Sequence, residues 1–248
     1  MRLQGKIALI TGAGSGFGEG IARRFATEGA RVVAADLNLA AAERVAAETG
    51  GLAVGGDVSV GADVRAMVAA AVDRLGGLDV VVNNAGTTHR NRPMLEVEEA
   101  TFDRIYAVNV KSLYWMAQAA VPVLRAQGRG GSIINISSTA GIRPRPGLVW
   151  YNGTKGAVNT MTMCMATELA ADNIRVNSVC PVMGATGLLA EFMGVPDTPE
   201  ARARFIASIP LGRMSTPADI ANACVFLAED SSSFLTGTLL PVDGGRCA

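Results

Sequence analysis

Ile7-Ala8-Leu9-Ile10-Thr11-Gly12-Ala13-Gly14-Ser15-Gly16-Phe17-Gly18 decides the fold. Four apolar residues that read as a strand run into a turn with glycine at alternate positions, and a helical pattern follows from Gly18 to Glu28. Glycines here permit a tight turn and the close approach of a pyrophosphate to backbone N–H groups at a helix N-terminus. The plain Gly-x-Gly-x-x-Gly fingerprint is not met at any register. The pattern present is Thr-Gly-x-x-x-Gly-x-Gly, and its strand–turn–helix setting is what gives it weight.

Working outward, the same alternation continues to the end of the chain. Strand-like runs at 31–35, 52–54, 78–82, 132–136, 174–179 and 238–242 alternate with helical patterns at 39–49, 63–74, 102–127, 151–171 and 217–228. Such alternation predicts an α/β fold, a doubly wound Rossmann domain with a mostly or wholly parallel seven-stranded sheet covered on both faces. With no linker or repeat, residues 1–248 are expected to form a single domain. Only 184–211, which contains Pro196, Pro199 and Pro210, breaks the rhythm. It is too long for an ordinary loop and reads as a lid over a site, or else as a surface excursion with a short helix.

Composition narrows the class. Lys plus Arg and Asp plus Glu balance at 22 each, so no basic field points to nucleic acid. Apolar runs are too short or too glycine-interrupted to span a bilayer. The segment from Met1 to Lys6 shows no secretory signal, and a soluble cytoplasmic protein is expected. Cys164, Cys180, Cys224 and Cys247 form no Cys-x-x-Cys. They read as reduced and mostly buried, with Cys247 as the exposed thiol. His89 is the sole histidine and no carboxylate cluster has ligand spacing, so no metal site is expected.

Several residues fall at the C-terminal ends of strands, where open α/β sheets bind ligands. Asp36 ends the second strand and is placed to accept hydrogen bonds from an adenosine ribose. It would repel a 2′-phosphate, and no Arg or Lys stands at Ser15 or Leu37 to neutralise one, which favours NAD over NADP. Asp57-Val58 follows the third strand and Asn83-Asn84-Ala85-Gly86 closes the fourth. Tyr151 and Lys155 stand four residues apart, on one face of a helix. A cation fixed beside a phenol favours the phenolate and makes the pair an acid–base candidate.

In this order and spacing, the glycine turn, Asp57, Asn83–Gly86, Asn109, Ser138, Tyr151/Lys155, Pro181, Thr186 and the closing Val242-Asp243-Gly244-Gly245 resemble the short-chain dehydrogenase/reductase family, from Lys6 to Gly245. The resemblance implies hydride transfer between a nicotinamide and an alcohol or carbonyl. It implies that Ser138 hydrogen-bonds the substrate oxygen, that Tyr151 exchanges its proton, and that Lys155 holds the nicotinamide ribose. Asn109 matches a residue that holds a water in a proton relay. Gly12, Ser15, Gly16, Phe17, Gly18, Asp36, Asp57, Val58, Asn84, Ala85, Gly86, Tyr151, Lys155, Pro181 and Thr186 are the implied cofactor residues. A homotetramer built on the two long helices is also implied. The chain departs from the family pattern at Val182, where glycine is usual and a positive φ would be costly, and at Gly184, where a branched aliphatic is common.

For the substrate, two basic clusters flank the expected pocket: Arg90 and Arg92, and Arg143 and Arg145. Arginine suits bidentate binding of carboxylate, sulfonate or phosphate, so an anionic or strongly polar group on the substrate is expected. The alternative is that these arginines face water or a neighbouring subunit. Trp150, Met183, Leu188, Leu189, Phe192 and Met193 are the expected apolar wall. Within the family, residues 83–91 and 147–151 are similar to enzymes of the 4-formylbenzenesulfonate dehydrogenase type, which oxidise sulfonated benzyl alcohols or aldehydes. A 3-oxoacyl-carrier-protein reductase, a sugar or polyol dehydrogenase, and a non-catalytic NAD-binding protein are the alternatives.

Overall fold

All five residues of β1 (Ile7–Thr11) are buried, and a strand buried on both faces belongs at the centre of a parallel sheet. The computed structural model, which describes residues 1–184 and 187–248, places it there. The other strands are β2 (Arg31–Asp36), β3 (Leu52–Gly55), β4 (Val80–Asn83), β5 (Gly131–Ile136), β6 (Ile174–Pro181) and β7 (Leu239–Val242). They form one parallel sheet in the order β3-β2-β1-β4-β5-β6-β7. Leu9 is flanked by Val33 of β2 on one side and Val81 of β4 on the other. The strand order reverses between β1 and β4, and there the connections diverge to leave a crevice at the C-terminal strand ends.

The helices are α1 (Gly16–Thr27), α2 (Leu39–Thr49), α3 (Gly61–Leu75), α4 (Glu99–Tyr106), α5 (Ser112–Gln127), α6 (Val149–Leu169), α7 (Leu189–Met193), α8 (Pro199–Ile206) and α9 (Pro217–Ala228). Side chains of a strand alternate between faces. Ala8 and Ile10 accordingly pack under α1 and α9, against Ile21, Phe25, Ile220 and Val225. Ile7 and Leu9 pack on the opposite face with Met67 and Val68 of α3, Met116 and Leu124 of α5, and Leu169 of α6. Each of these large side chains, fully buried, stabilises the fold by about 1.5–3 kcal/mol before entropy is counted.

Residues 102–127, expected as one helix, are divided. α4 passes through a π-helical stretch, Ala107–Lys111, into α5. The wider turn shifts the register of the buried face within a continuous helical path, so the 3.6-residue period does not reveal it. Single-turn π segments of this kind are frequent at functional sites, and Asn109 lies in this one.

The expected 184–211 excursion carries α7 and α8. They hold a small apolar cluster of their own, in which Leu189, Met193 and Met214 are buried and Met183 and Phe205 pack against them. Cys164 departs from expectation, being exposed on α6, while Cys247 is only half-buried. The helix turns Val158, Thr162 and Ala166 inward, and Cys164 falls on the opposite side. Among the described residues, no helix is long and apolar enough to cross a membrane.

Candidate active site

A cleft of about 670 Å³ opens at the C-terminal ends of the central strands. Its first wall is the turn between β1 and α1. Gly12 has φ +64°, and a β-carbon there would stand 2.9 Å from both Ala85 Cα and Asn84 Nδ2. A β-carbon on Gly18 would meet the Gly12 carbonyl oxygen at 2.0 Å. Asn84 Nδ2 donates to the carbonyls of Thr11 (2.8 Å) and Gly12 (3.2 Å), tying this turn to the end of β4. Ser15 caps α1 with extended backbone, but its hydroxyl makes no capping bond. The first-turn amides of Gly16, Phe17 and Gly18 have no preceding helical carbonyl to bond. A free hydroxyl and unpaired amides over glycines that exclude side chains fit a pyrophosphate.

Asp36, at the end of β2, also lines the cleft. Its carboxylate is held by the amides of Gly14 (2.8 Å) and Asn38 (2.9 Å), so its position is fixed. Asp57 accepts the Ser59 amide and hydroxyl, each at 2.8 Å. Val58, Ala85 and Gly86 line the same part of the cleft, joined by Arg104, which nothing in the sequence had singled out.

At the other end stand Ser138, after β5, and Tyr151 and Lys155, on the first turns of α6. Tyr151 and Lys155 are both buried. Lys155 Nζ donates to the Ile136 carbonyl at 2.9 Å and lies 5.8 Å from the Tyr151 ring centroid. Burial pushes the ammonium down to about 8. The Tyr151 phenol is pushed up to about 12 by burial, opposed by its hydrogen bond with Ser138 and by the charge of Arg145. In this geometry desolvation outweighs the opposing hydrogen bond and the charge of Arg145.

Asn109 is buried and its amide is fully engaged. Oδ1 accepts the Thr87 amide at 2.8 Å, while Nδ2 donates to the Thr87 carbonyl (2.8 Å) and to Thr154 Oγ1 (3.1 Å). It thereby locks the segment after Gly86 to α6, beside Lys155. Pro181 ends β6, pairs with Val242 and lines the cleft. Val182 continues that strand path, its amide donating to the Val242 carbonyl at 3.3 Å. Among the described non-glycine residues only Asn173 has positive φ, so Val182 needs no strained backbone. Thr186 lies outside the described residues.

The substrate candidates divide. Arg143, Arg145 and Met183 line the cleft, as do Leu188 and Phe192, whereas Arg90, Arg92 and Trp150 do not. Arg90 donates to the Gly194 carbonyl at 3.1 Å, bonding the chain just past the end of α7, where carbonyls lack helical partners. Arg92 lies on the surface and donates to the Glu96 carbonyl. The Trp150 ring meets Phe102 edge-on at 5.4 Å, and its Nε1 donates to the Met94 carbonyl. Leu189 and Met193 point into the small cluster beneath α7. Arg246 and Phe205, which sequence reasoning missed, also line the cleft. Arg246 lies immediately after the closing Val242–Gly245 run, and that adjacency was the only signal available.

Comparison with known proteins agrees with this geometry. The family model described as enoyl-(acyl carrier protein) reductase matches residues 12–246. The chain is 53% identical to 4-formylbenzenesulfonate dehydrogenase of Comamonas testosteroni, covering 99% of both chains. It is 38% identical to 2-(S)-hydroxypropyl-CoM dehydrogenase 3 of Xanthobacter autotrophicus, over 100% of this chain and 98% of the relative. The crystal structure of 3-ketoacyl-(acyl-carrier-protein) reductase from Brucella melitensis complexed with NADH superposes with a TM-score of 0.94 at 47% identity, covering 99% of this chain and 100% of that one. The chain belongs to the short-chain dehydrogenase/reductase family of NAD(P)-dependent oxidoreductases.

Proposed function

We propose that the protein oxidises an aryl or secondary alcohol with NAD, or reduces the matching carbonyl. The observation that carries this reading is the continuity of one cleft from Asp36 at one end to Ser138, Tyr151 and Lys155 at the other. When bound, the nicotinamide supplies the hydride acceptor or donor. Gly12, Ser15, Gly16, Phe17 and Gly18 hold the pyrophosphate, Asp36 the adenosine ribose, and Asp57, Val58, Asn84, Ala85, Gly86 and Pro181 the remaining walls. Ser138 orients the substrate oxygen, and Tyr151 takes its proton in oxidation and returns it in reduction. Lys155 positions the nicotinamide ribose, and Asn109 holds the segment after Gly86 in place. The 184–211 segment acts as a lid, with Leu188 and Phe192 facing the cleft and Met183 just ahead of it.

The 53% identity to an enzyme named for an aryl aldehyde supports the aryl substrate. The Phe192 ring, meeting Tyr151 edge-on at 5.0 Å, supplies an aromatic wall beside the reacting oxygen. A 3-oxoacyl reductase is the second reading, supported by the fold match to a reductase carrying NADH. Absorbance at the NADH band, followed with benzylic alcohols, polyols and 3-oxoacyl thioesters, decides between them. Turnover of the thioester alone would overturn the aryl reading.

We propose that copies of the chain assemble as a homotetramer in the cytoplasm. Tyr114 on α5 and Met163 on α6 are exposed apolar side chains suited to contact between copies. Light scattering that shows only a monomer would refute it.

A further inference from the structure

Arg143, Arg145 and Arg246 stand together at the substrate end of the cleft. None of the three is in an ion pair with a described carboxylate, whereas Arg23, Arg44, Arg129, Arg202 and Arg213 all are. The nearby Asp243 carboxylate accepts the amides of Gly245 (3.0 Å) and Cys247 (2.8 Å) instead. Arg145 is only partly exposed, and burial together with the charge of Arg246 lowers its pKa. Two guanidinium groups that line one cleft, neither held in a salt bridge with a described carboxylate, leave a charge that an anion would relieve.

The surroundings define the carrier of that anion. Arg145 stacks 5.0 Å over the Phe205 centroid and donates to the Phe192 carbonyl at 2.7 Å. Phe192 in turn lies edge-on to Tyr151. A path lined by aromatic rings therefore connects the reacting phenol to the arginines. The C-terminal tail brings Arg246 to this place. Arg143 Nη1 donates to the Arg246 carbonyl at 2.5 Å, and Arg246 reaches the Ser208 carbonyl at 3.5 Å.

We infer that Arg145 and Arg246 form the seat for an acidic group, sulfonate or carboxylate, carried on the ring of an aromatic substrate, with Arg143 holding the tail that presents Arg246. The inference deepens the reading of an aryl alcohol or aldehyde substrate and rests on it.

Titration calorimetry of the purified protein with benzenesulfonate, benzoate and benzamide tests the seat without requiring turnover. Both anions are expected to bind about tenfold or more tighter than benzamide, and Arg246→Gln, whose site on the surface tail should leave folding intact by circular dichroism, to erase that preference. A preference for benzenesulfonate over benzoate assigns the seat to sulfonate, and the reverse to carboxylate. Equal binding of benzamide, or a preference that survives Arg246→Gln, overturns the inference. Absence of NADH formation with every alcohol would overturn the enzymatic reading, and the calorimetry would still decide whether the seat exists.

Discussion

The ring of Phe17 fills the space that a side chain at Gly184 would need. A β-carbon on Gly184 would stand 2.4 Å from Phe17 Cζ and 2.8 Å from Cε1. Phe17 belongs to the first turn of α1, beside the glycine turn, and Gly184 follows β6 and forms a bridge with Ser215. Glycine at 184 thus leaves room for the Phe17 ring, and the glycine turn is packed directly against the segment that follows β6.

Gly184→Val should therefore force Phe17 out of place and destabilise the protein by about 1–3 kcal/mol, the usual cost of overpacking. Combining it with Phe17→Ala should recover part of that loss. Urea denaturation of the two single variants and the double variant gives the coupling. Strict additivity would show that the two residues do not compete for space.

The fold was legible because its signals are local. Apolar runs of the length of Ile7–Ile10 and Val80–Val82, separated by helical patterns, specify strands buried on both faces, and the glycine turn marks the sheet's centre. The π-helical turn at Asn109 was not legible, since its flanks keep helical periodicity. Arg90 and Arg145 look alike in sequence. Only the path of the chain around α7 decides that the first bonds the chain after α7 and the second faces the cleft. Arg246 reaches the site through the pairing of β7 with β6, a contact between distant parts of the chain. The Tyr151–Lys155 spacing was legible, but the balance of desolvation against charge that sets the phenol's acidity depends on burial.

Asp36→Arg should move cofactor preference toward NADP. It removes a carboxylate fixed by the Gly14 and Asn38 amides and supplies a partner for a 2′-phosphate. The ratio of kcat/KM for NADP to that for NAD should rise by about tenfold or more, the size of one charge-assisted contact. An unchanged ratio in steady-state kinetics would mean that Asp36 does not read the ribose.

Lys155 makes stability depend on pH. Its ammonium titrates at about 8 in the folded protein against an ordinary 10.5. Between these values the unfolded chain binds more protons than the folded one, so the Lys155 contribution rises with pH. Below the folded value both states are protonated and the buried charge carries its full cost. Relative to Lys155→Met, the wild type should gain on the order of 3 kcal/mol across that window. Tyr151, raised to about 12, acts in the opposite direction at higher pH, but equally in both proteins. Denaturant titrations at a series of pH values measure the difference, and a difference independent of pH would show that Lys155 is not desolvated.

Tyr151→Phe removes the oxygen proposed to exchange the proton and leaves the ring that meets Phe192 edge-on. The loss should fall on kcat, by about 100-fold to 10,000-fold, the range associated with a positioned acid or base. Binding of NADH, followed by fluorescence, should change little, because the glycine turn and Asp36 are at the far end of the cleft. Ser138→Ala should lower kcat as well, since it deprives the phenol of the hydrogen bond that opposes its desolvation. In alcohol oxidation it should also move upward in pH the limb on which activity rises with deprotonation of Tyr151, a shift that a purely structural role for Ser138 would not produce. Substantial turnover by Tyr151→Phe would remove Tyr151 from the proton path and transfer that role to another group in the cleft.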